Sequence, residues 1–255
     1  MSPENKTKLN RIIQEWPRGT VCTAAYLATR GIGYDLIYKY KKSHWIQQIG
    51  RGAYALYGDK VSWTGVLYAL QKQLDLTVHP GGKTALEMKG FSHFLSESTK
   101  KVFLFGLRGE KLPDWFKQNT WRVEIIYKPT NLFSADCSEG FSEYREKEFS
   151  LRISSPERAA MEMMYHIPNE VSFEEASLIA ENLISLRPVV VQALLECCNS
   201  VKVKRLFMYM ADKHKHPWVQ KLVLSKIDFG TGKRMIAKDG VLDGKYHITV
   251  PKTII

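Results

Sequence analysis

The sequence predicts an α+β protein with two regions that differ in charge and in hydrophobic pattern. Three short amphipathic segments and a pair of short alternating segments occupy residues 1–58, whereas longer apolar runs alternate with helical patterns from about residue 100 onwards. The first 58 residues also carry nine Lys and Arg but only three Asp and Glu. Together these observations predict an N-terminal winged helix-turn-helix followed by a mixed α/β C-terminal domain.

The first two helices are predicted from apolar spacing and from turn residues. Apolar side chains recur at helical spacing over residues 9–16, and the sequence PRG at 17–19 ends that helix. Thr23 is suited to cap a second helix that runs to about residue 30. The sequence GIG at 31–33 then predicts a tight turn, because glycine adopts positive φ without steric cost.

The third helix is predicted over residues 34–46, with Leu36, Tyr40 and His44 on its inward face. Two short strands follow around the glycine-flanked Arg51. The order of helix, glycine turn, basic helix and basic-tipped hairpin is that of a winged helix-turn-helix. In that module the last helix enters the major groove of DNA.

The candidate DNA contacts lie on the outward face of the third helix and at the tip of the hairpin. They are Tyr34, Tyr38, Lys39, Lys41, Lys42 and Arg51. Lysine neutralises phosphates, and tyrosine can hydrogen-bond a phosphate or lie against a sugar. The net charge of +11 also favours a polyanionic partner. The alternative, a basic face that only keeps a small helical domain soluble, is less favoured by topology and charge taken together.

Residues 59–92 are predicted to extend the N-terminal domain with a helix, a strand at 76–78 and a second helix from Thr84. Thr84 and Glu87 have the spacing of a capping box. The sequence PGGKT at 80–84 is similar to a phosphate loop, but the first glycine of that motif is replaced by Thr77, so no nucleotide site is predicted.

The domain boundary is predicted near the polar segment at 96–101. An N-terminal DNA-binding domain is expected at 1–95, with the winged helix-turn-helix at 1–58, and a C-terminal domain at 96–255. In the C-terminal domain, strands are predicted at 102–107, 121–127, 148–153, 233–236 and 245–250, and helices at 112–118, from Pro156, from Ser172, at 188–198 and at 200–213.

No catalytic residue, metal site or cofactor is predicted. The sequence contains neither the G-x-S-x-G nor the H-E-x-x-H signature, and His214 and His216 lack other ligand types at metal-binding spacing. The acidic residues at 139–148 could suggest a nuclease, but Glu146 and Glu148 are better explained by a solvated turn. The chain is therefore not expected to be an enzyme.

The four cysteines are Cys22, Cys137, Cys197 and Cys198. None forms a C-x-x-C pair, so free thiols in a reducing compartment are expected. No apolar run approaches the roughly 18 residues of a membrane span, and the N-terminus lacks the apolar stretch of a secretory signal. A cytoplasmic location without a membrane partner follows as an expectation.

A second basic cluster lies on the helix predicted at 200–213. Its candidate contact residues are Lys202, Lys204 and Arg205. Spacing alone leaves two alternatives open, a second surface for nucleic acid or an acidic partner, and a helix with a solvated basic face.

The chain resembles the AbiEi antitoxins of bacterial type IV (AbiE) toxin–antitoxin systems. The matching residues are, in order, RGTV at 18–21, Leu27, Gly31, Ile32, Tyr40, Ser43, Trp45, Ile46, IGRGAY at 49–54, VSW at 61–63, ALQ at 69–71, HPGGKTALE at 79–87, ISSPER at 153–158, LRP at 186–188, LLE at 194–196, KVKRLF at 202–207, GKR at 232–234 and YHITVP at 246–251. His44 occupies a position where the family pattern has glycine.

The resemblance implies two functions on one chain. The winged helix would bind inverted repeats in promoter double-stranded DNA and repress its own operon. The C-terminal domain would counter an AbiEii-type nucleotidyltransferase toxin, without necessarily forming a stable complex with it. The alternatives are a winged-helix transcriptional regulator whose C-terminal domain binds a ligand or a protein, with no toxin partner, and a nuclease with a winged-helix targeting module.

Overall fold

The structure, a computed structural model of the 255-residue chain, describes residues 3–91, 100–238 and 240–252. Its N-terminal part contains three helices and a three-stranded sheet. The elements are α1 (Pro3–Glu15), β1 (Cys22–Thr23), α2 (Ala24–Thr29), α3 (Tyr34–Lys42), β2 (Ile46–Gly50) and β3 (Ala53–Leu56). The sheet order is β1-β3-β2 with antiparallel pairs. This arrangement is a winged helix-turn-helix, as predicted, with the short strand β1 in addition.

The capping and turn residues of this unit form as the sequence predicts. The Thr23 hydroxyl accepts a hydrogen bond from the Tyr26 amide at 3.2 Å and so caps α2. Gly31 has a φ of 76° in the turn before α3. The helix α3 ends at Lys42, four residues earlier than predicted. His44 lies beyond its end with a φ of 54°, a conformation that glycine adopts more easily.

The inward face of α3 differs from the predicted one. Ile37 and Tyr40 are buried, Leu36 is half-buried and His44 is exposed. The prediction was wrong for His44 because the helix ends before it, so helical spacing no longer determines its direction. The buried pair packs in a cluster with apolar residues of all three helices and the sheet.

The next segment contains α4 (Trp63–Lys72), β4 (His79–Pro80) and α5 (Gly82–Met88). The strand predicted at 76–78 is therefore displaced to β4. The capping box predicted at Thr84 is wrong, because α5 begins two residues earlier. The Thr84 hydroxyl instead accepts the amide of Phe103 at 2.8 Å, which attaches α5 to the following strand.

The remaining chain contains three groups of strands and four longer helices. The elements are β5 (Lys101–Leu107), α6 (Asp114–Lys117), β6 (Glu124–Thr130), β7 (Phe141–Glu146), β8 (Phe149–Ser154), α7 (Pro156–His166), α8 (Phe173–Glu181), α9 (Pro188–Cys197), α10 (Val201–Lys213), β9 (Arg234–Met235), β10 (Val241–Asp243) and β11 (Ile248–Val250). Two 3-10 helices, Pro217–Lys221 and Leu224–Lys226, follow α10. The strands β7 and β10 were not predicted from the sequence.

The sheets pair strands that are distant in the sequence as well as neighbours. The strand β5 pairs in parallel with β6 and antiparallel with β4, whereas β7 and β8 form an antiparallel hairpin. The strand β11 lies between β10 and β9. The helix α7 is almost wholly buried and packs against α5, α8, α9 and α10, so it forms the centre of the larger core.

The winged helix shares a core with the rest of the chain. Val21 and Ala53 belong to the same buried cluster as Leu70 of α4 and Leu104 of β5. The Gln73 side chain also donates to the Val21 carbonyl at 2.9 Å and accepts from the Thr23 amide at 2.8 Å. The boundary predicted near residues 95 and 96 lies outside the described residues, and the division of the chain there stays a prediction.

Two of the four cysteines contradict the expectation of free thiols. Cys137 and Cys197 are joined in a disulfide, whereas Cys22 and Cys198 are free and buried. The two bonded residues are 60 positions apart in the sequence, so their spacing gave no sign that the fold brings them together.

Candidate nucleic-acid interface

The outward face of α3 carries two tyrosines in open solvent. Burial of Ile37 and Tyr40 on the inner side turns Tyr34 and Tyr38 outward, and their exposed fractions are 78% and 66%. Tyrosine is enriched at interfaces, because its ring is apolar and its hydroxyl can form a hydrogen bond. Their hydroxyls can donate to phosphate oxygens, and their rings can lie against sugars.

Two of the three predicted lysines of α3 accompany these tyrosines on the surface. Lys39 and Lys42 are exposed, and neither forms an ion pair or hydrogen bond among the described residues. They also lie in the last turn of the helix, where positive charge is favoured by the helix dipole. Asp35, in the first turn, is the acidic residue on this helix. The exposed face is therefore positive at its C-terminal end.

Lys41 differs from the other two lysines. It is half-buried, and its ammonium group donates to the side-chain oxygen of Gln48 in β2. The Gln48 amide in turn donates to the Gly50 carbonyl at 3.2 Å. Lys41 therefore connects α3 to the wing. While this hydrogen bond is in place, the Lys41 ammonium group can contact a phosphate only with its remaining N–H donors.

Arg51 lies at the tip of the wing, in the turn between β2 and β3. Its side chain is exposed, and the structure gives it no partner among the described residues. The next residue, Gly52, has a φ of 76°, a conformation that other residues adopt rarely. The tight turn thus presents a single guanidinium beyond the sheet, where it can contact a DNA backbone or minor groove.

Three exposed rings beside α3 were missed by the sequence analysis. Trp45 and Tyr57 are 46% and 53% exposed, and the His44 and Tyr57 rings meet edge to face at 4.8 Å. His44 and Trp45 lie directly before β2, and Tyr57 lies directly after β3. The signal in the sequence was an aromatic residue at each end of the alternating segment, outside the face assigned to the helix.

The second basic surface predicted on α10 is wrong for two of its three residues. Lys204 and Arg205 are buried. The Arg205 guanidinium donates to the carbonyls of Phe229, Gly230 and Gly232 at 2.6–2.9 Å, so it holds a loop rather than facing a partner. Lys202 is half-buried and donates to the Ile167 carbonyl.

The segment PGGKT at 80–84 has no space for a phosphate. The Gly82 amide donates to a carboxylate oxygen of Glu162 at 3.0 Å. A Cβ on Gly81 would lie only 2.2 Å from that same Glu162 oxygen. The glycines therefore allow a close approach of backbone and carboxylate.

The other sites considered from the sequence also have structural explanations. Glu146 ends β7, and Lys147 and Glu148 form the turn before β8, as predicted, with a φ of 49° at Lys147. His216 is buried and lies 2.8 Å from the Ala180 carbonyl. Within the described ranges, no group of three or more His, Cys, Asp or Glu could hold a metal ion. No helix described here has the length and apolarity needed to cross a membrane.

Comparison with solved structures supports the fold. The crystal structure of the RV2827C protein from Mycobacterium tuberculosis matches this chain with a TM-score of 0.60 at 15% sequence identity, covering 97% of this chain and 92% of that one. At this identity the likeness shows a shared fold. No curated protein matches the sequence.

Family models match nearly the whole chain. The model described as "Transcriptional regulator, AbiEi antitoxin N-terminal domain" matches residues 5–97, and that described as "Transcriptional regulator, AbiEi antitoxin, Type IV TA system" matches residues 99–251. This family is one of transcriptional regulators rather than a class of enzymes. With the winged helix and its exposed basic face described above, these matches show that the chain belongs to the AbiEi antitoxin family of transcriptional regulators of type IV toxin–antitoxin systems.

Proposed function

We propose that this chain represses its own operon by binding inverted repeats in the promoter, and that it counters a nucleotidyltransferase toxin. The observation that carries the DNA-binding part is the pairing of an exposed tyrosine and lysine face on α3 with an exposed arginine at the wing tip. Both elements belong to one small sheet-and-helix unit, so they can contact one duplex together.

The helix α3 is the element that enters the major groove. The major groove is about 12 Å wide and admits one α-helix. Tyr34 and Tyr38 lie one helical turn apart and project from the same face, so they follow the groove together. Lys39 and Lys42 flank this face and neutralise phosphates along the groove edge.

Arg51 makes the second contact, from the wing. An exposed guanidinium at a hairpin tip can enter a minor groove or form a bidentate contact with a phosphate. Lys41 supports this arrangement from within, because its hydrogen bond to Gln48 joins α3 to the strand that carries the wing. We assign Lys41 a part in binding that is secondary to those of Lys39, Lys42 and Arg51.

The experiment for this part is fluorescence anisotropy of the protein on its own upstream DNA and on a scrambled duplex, at several salt concentrations. We expect tighter binding to the upstream duplex, together with a steep fall in affinity as salt increases. Equal and weak binding to both duplexes would contradict repression through a specific operator.

The second part of the proposal assigns neutralisation of the toxin to the C-terminal domain, residues 96–255. It is supported by the family description, which names both an antitoxin and a type IV toxin–antitoxin system. Neutralisation in this proposal does not require a stable complex with the toxin. The second candidate, a winged-helix regulator without a toxin partner, shares the DNA-binding features and differs only in this part.

Co-expression with the neighbouring nucleotidyltransferase gene separates the two candidates. We expect the full chain to restore growth of cells that express the toxin from an inducible promoter of unrelated sequence. The variant with Lys39→Ala and Lys42→Ala is expected to restore growth equally, because DNA binding is not needed under that promoter. Failure of the full chain to restore growth would favour the regulator without a toxin partner.

A further inference from the structure

A cavity of about 210 Å³ is lined by the end of β5, the segment at 130–138, the hairpin of β7 and β8, the first turns of α7, and His79 of β4. It is separate from α3 and the wing. An apolar cavity of about 150 Å³ is large enough for a benzene ring. This cavity therefore has space for one ring with a small substituent, and not for a nucleic acid or a protein segment.

Two arginines line the cavity and are held in a stack with phenyl rings. The Arg158 guanidinium lies 4.2 Å from the ring centres of both Phe133 and Phe141. The Arg152 guanidinium lies 4.9 Å from the Phe141 ring centre. Cation–π contacts of this kind fix the plane of a guanidinium and leave its N–H edge free to meet a ligand.

Each arginine retains donors that the protein does not use. Arg158 donates from Nε to Glu162 at 3.1 Å and from Nη1 to the Glu139 carbonyl at 3.1 Å, while its Nη2 has no hydrogen-bond partner among the described residues. Arg152 donates from Nη2 to the Thr77 carbonyl at 3.1 Å, and within the described ranges its Nε and Nη1 have none. Arginine carries five donors in a fork that matches a carboxylate or phosphate.

The charge balance of the cavity is positive. Glu162 is the acidic residue in its lining, and it accepts hydrogen bonds from His79, Gly82, Ser154 and Arg158. Burial alone would raise the pKa of Glu162, but the hydrogen bond and charge of His79, with Arg158 and Ser154, hold that pKa below its usual value. The Glu162 carboxylate is thus shared by the Arg158 guanidinium and the His79 imidazole.

The two guanidiniums also repel one another. Burial, followed by the positive charge of Arg158, lowers the pKa of Arg152 from its ordinary value, and the negative charges of Glu110 and Asp75 offset only part of this effect. Like charges held this close in a half-enclosed space are stabilised by an anion between or beside them. The lining of the cavity also includes the apolar side chains of Phe105, Leu107 and Leu132.

We propose that this cavity binds a small organic anion, in which one carboxylate or phosphate contacts Arg152 and Arg158 and an aromatic or branched apolar body packs on Phe105, Leu107 and Leu132. The proposal rests neither on DNA binding nor on toxin neutralisation. Its ligand is recognised by one negative group on a body about the size of a single ring.

The test is isothermal titration calorimetry of the full chain with benzoate, phenyl phosphate and benzylamine. We expect one site per chain for benzoate or phenyl phosphate, and the tighter of the two shows which anionic group the site prefers. Benzylamine has the same ring with a positive group, and we expect it to bind at least about tenfold more weakly. Equal binding of benzylamine, or no binding of either anion at millimolar concentration, would overturn the proposal.

Three variants connect the binding to the cavity. Arg152→Ala removes an exposed guanidinium and is expected to weaken anion binding about tenfold. Arg145→Ala removes an exposed arginine from the same hairpin, outside the cavity lining, and is expected to leave binding unchanged. Ala135→Trp, at an exposed position in the lining, is expected to block entry. Equal losses in the two arginine variants, or full binding by Ala135→Trp, would place the bound anion elsewhere and overturn the proposal.

Discussion

Gly50, the last residue of β2, lies so close to Trp115 of α6 that a Cβ on Gly50 would be 2.7 Å from the Trp115 Cβ. Trp115 is buried, so it has little freedom to move away. The Asn119 side chain adds a hydrogen bond to the Ile49 carbonyl at 3.4 Å. The base of the wing is therefore packed against a helix that lies more than sixty residues further along the chain.

This contact predicts that Gly50→Ala destabilises the protein. Either the wing or α6 must shift, and overpacking of this kind costs about 1–3 kcal/mol. Urea unfolding curves measure the change. Gly244→Ala is the matched control, because a Cβ at Gly244 meets open space. Equal unfolding midpoints for the two variants would contradict the importance of the contact.

Tyr38→Phe separates hydrogen bonding from charge at the DNA surface. Because the side chain is 66% exposed, we expect no change in the free energy of unfolding. The affinity for the upstream duplex is expected to fall by about fivefold, the loss of one hydrogen bond, with an unchanged salt dependence. An unchanged affinity would show that the Tyr38 hydroxyl does not contact DNA.

The environment of Glu157 predicts that the stability of the folded protein depends on pH below 4.5. Burial acts to raise its pKa, but hydrogen bonds from Arg187 and Ser155 outweigh burial and lower the pKa from 4.5 to about 2. The folded state therefore binds a proton less readily than the unfolded state. The stabilisation is complete above pH 4.5 and is lost as the pH falls toward 2.

Glu157→Gln tests this prediction. We expect a loss on the order of 2–3 kcal/mol in the free energy of unfolding at pH 7, and a smaller further loss between pH 4.5 and 3 than in the unsubstituted protein. Glu143→Gln, at an exposed position on β7, is the control and should change neither quantity. Parallel pH profiles for the two variants would contradict the assignment.

The environment of His166 predicts a second dependence of stability on pH, in a higher pH range. It is buried against the rings of Phe103 and Phe105, and its Nε2 has no hydrogen-bond partner within the part of the chain that the structure describes. Burial, followed by the charge of Lys128, lowers its pKa from 6.5 to about 4. Between these values the unfolded chain binds a proton that the folded chain does not, so stability falls as the pH falls from 6.5 toward 4.

The variant for this effect is His166→Leu, measured by urea unfolding at pH 7 and at pH 4.5. Between these two pH values we expect the unsubstituted protein to lose about 2–3 kcal/mol more than the variant. His44→Asn, at an exposed position whose positive φ asparagine tolerates, should keep the loss of the unsubstituted protein. An unchanged loss in His166→Leu would contradict a buried neutral imidazole.

Local patterns in the sequence were sufficient for the winged helix. Apolar spacing, the Thr23 cap and the glycine turn are features of neighbouring residues, and the structure contains each of them. The outward direction of Tyr34 and Tyr38 followed from the same spacing. The end of α3 did not follow from it, because the four residues after Lys42 still fit a helical pattern in composition. The backbone conformation of His44 excludes them from the helix.

Long-range partners explain most of what the sequence did not predict. Arg205 is buried because carbonyls more than twenty residues away accept its donors, and no local spacing reveals them. The disulfide between Cys137 and Cys197 was not predicted for the same reason, because its two cysteines are 60 residues apart in the sequence. The cavity beside Arg158 required β4, β7 and α7 to meet, and the strand β7 was not recognised in the sequence.

The central claim is that α3 is the DNA-contacting element, and the most direct test is the salt dependence of binding by the variant with both Lys39→Ala and Lys42→Ala. We measure anisotropy on the upstream duplex and compare this variant with Lys221→Ala and Lys226→Ala, two exposed lysines near the 3-10 helices. We predict a plot of log affinity against log salt that is shallower by about two units for the α3 variant, one for each lost phosphate contact. The control variant should keep the full slope. An unchanged slope for the α3 variant, or an equal change in both, would contradict the account.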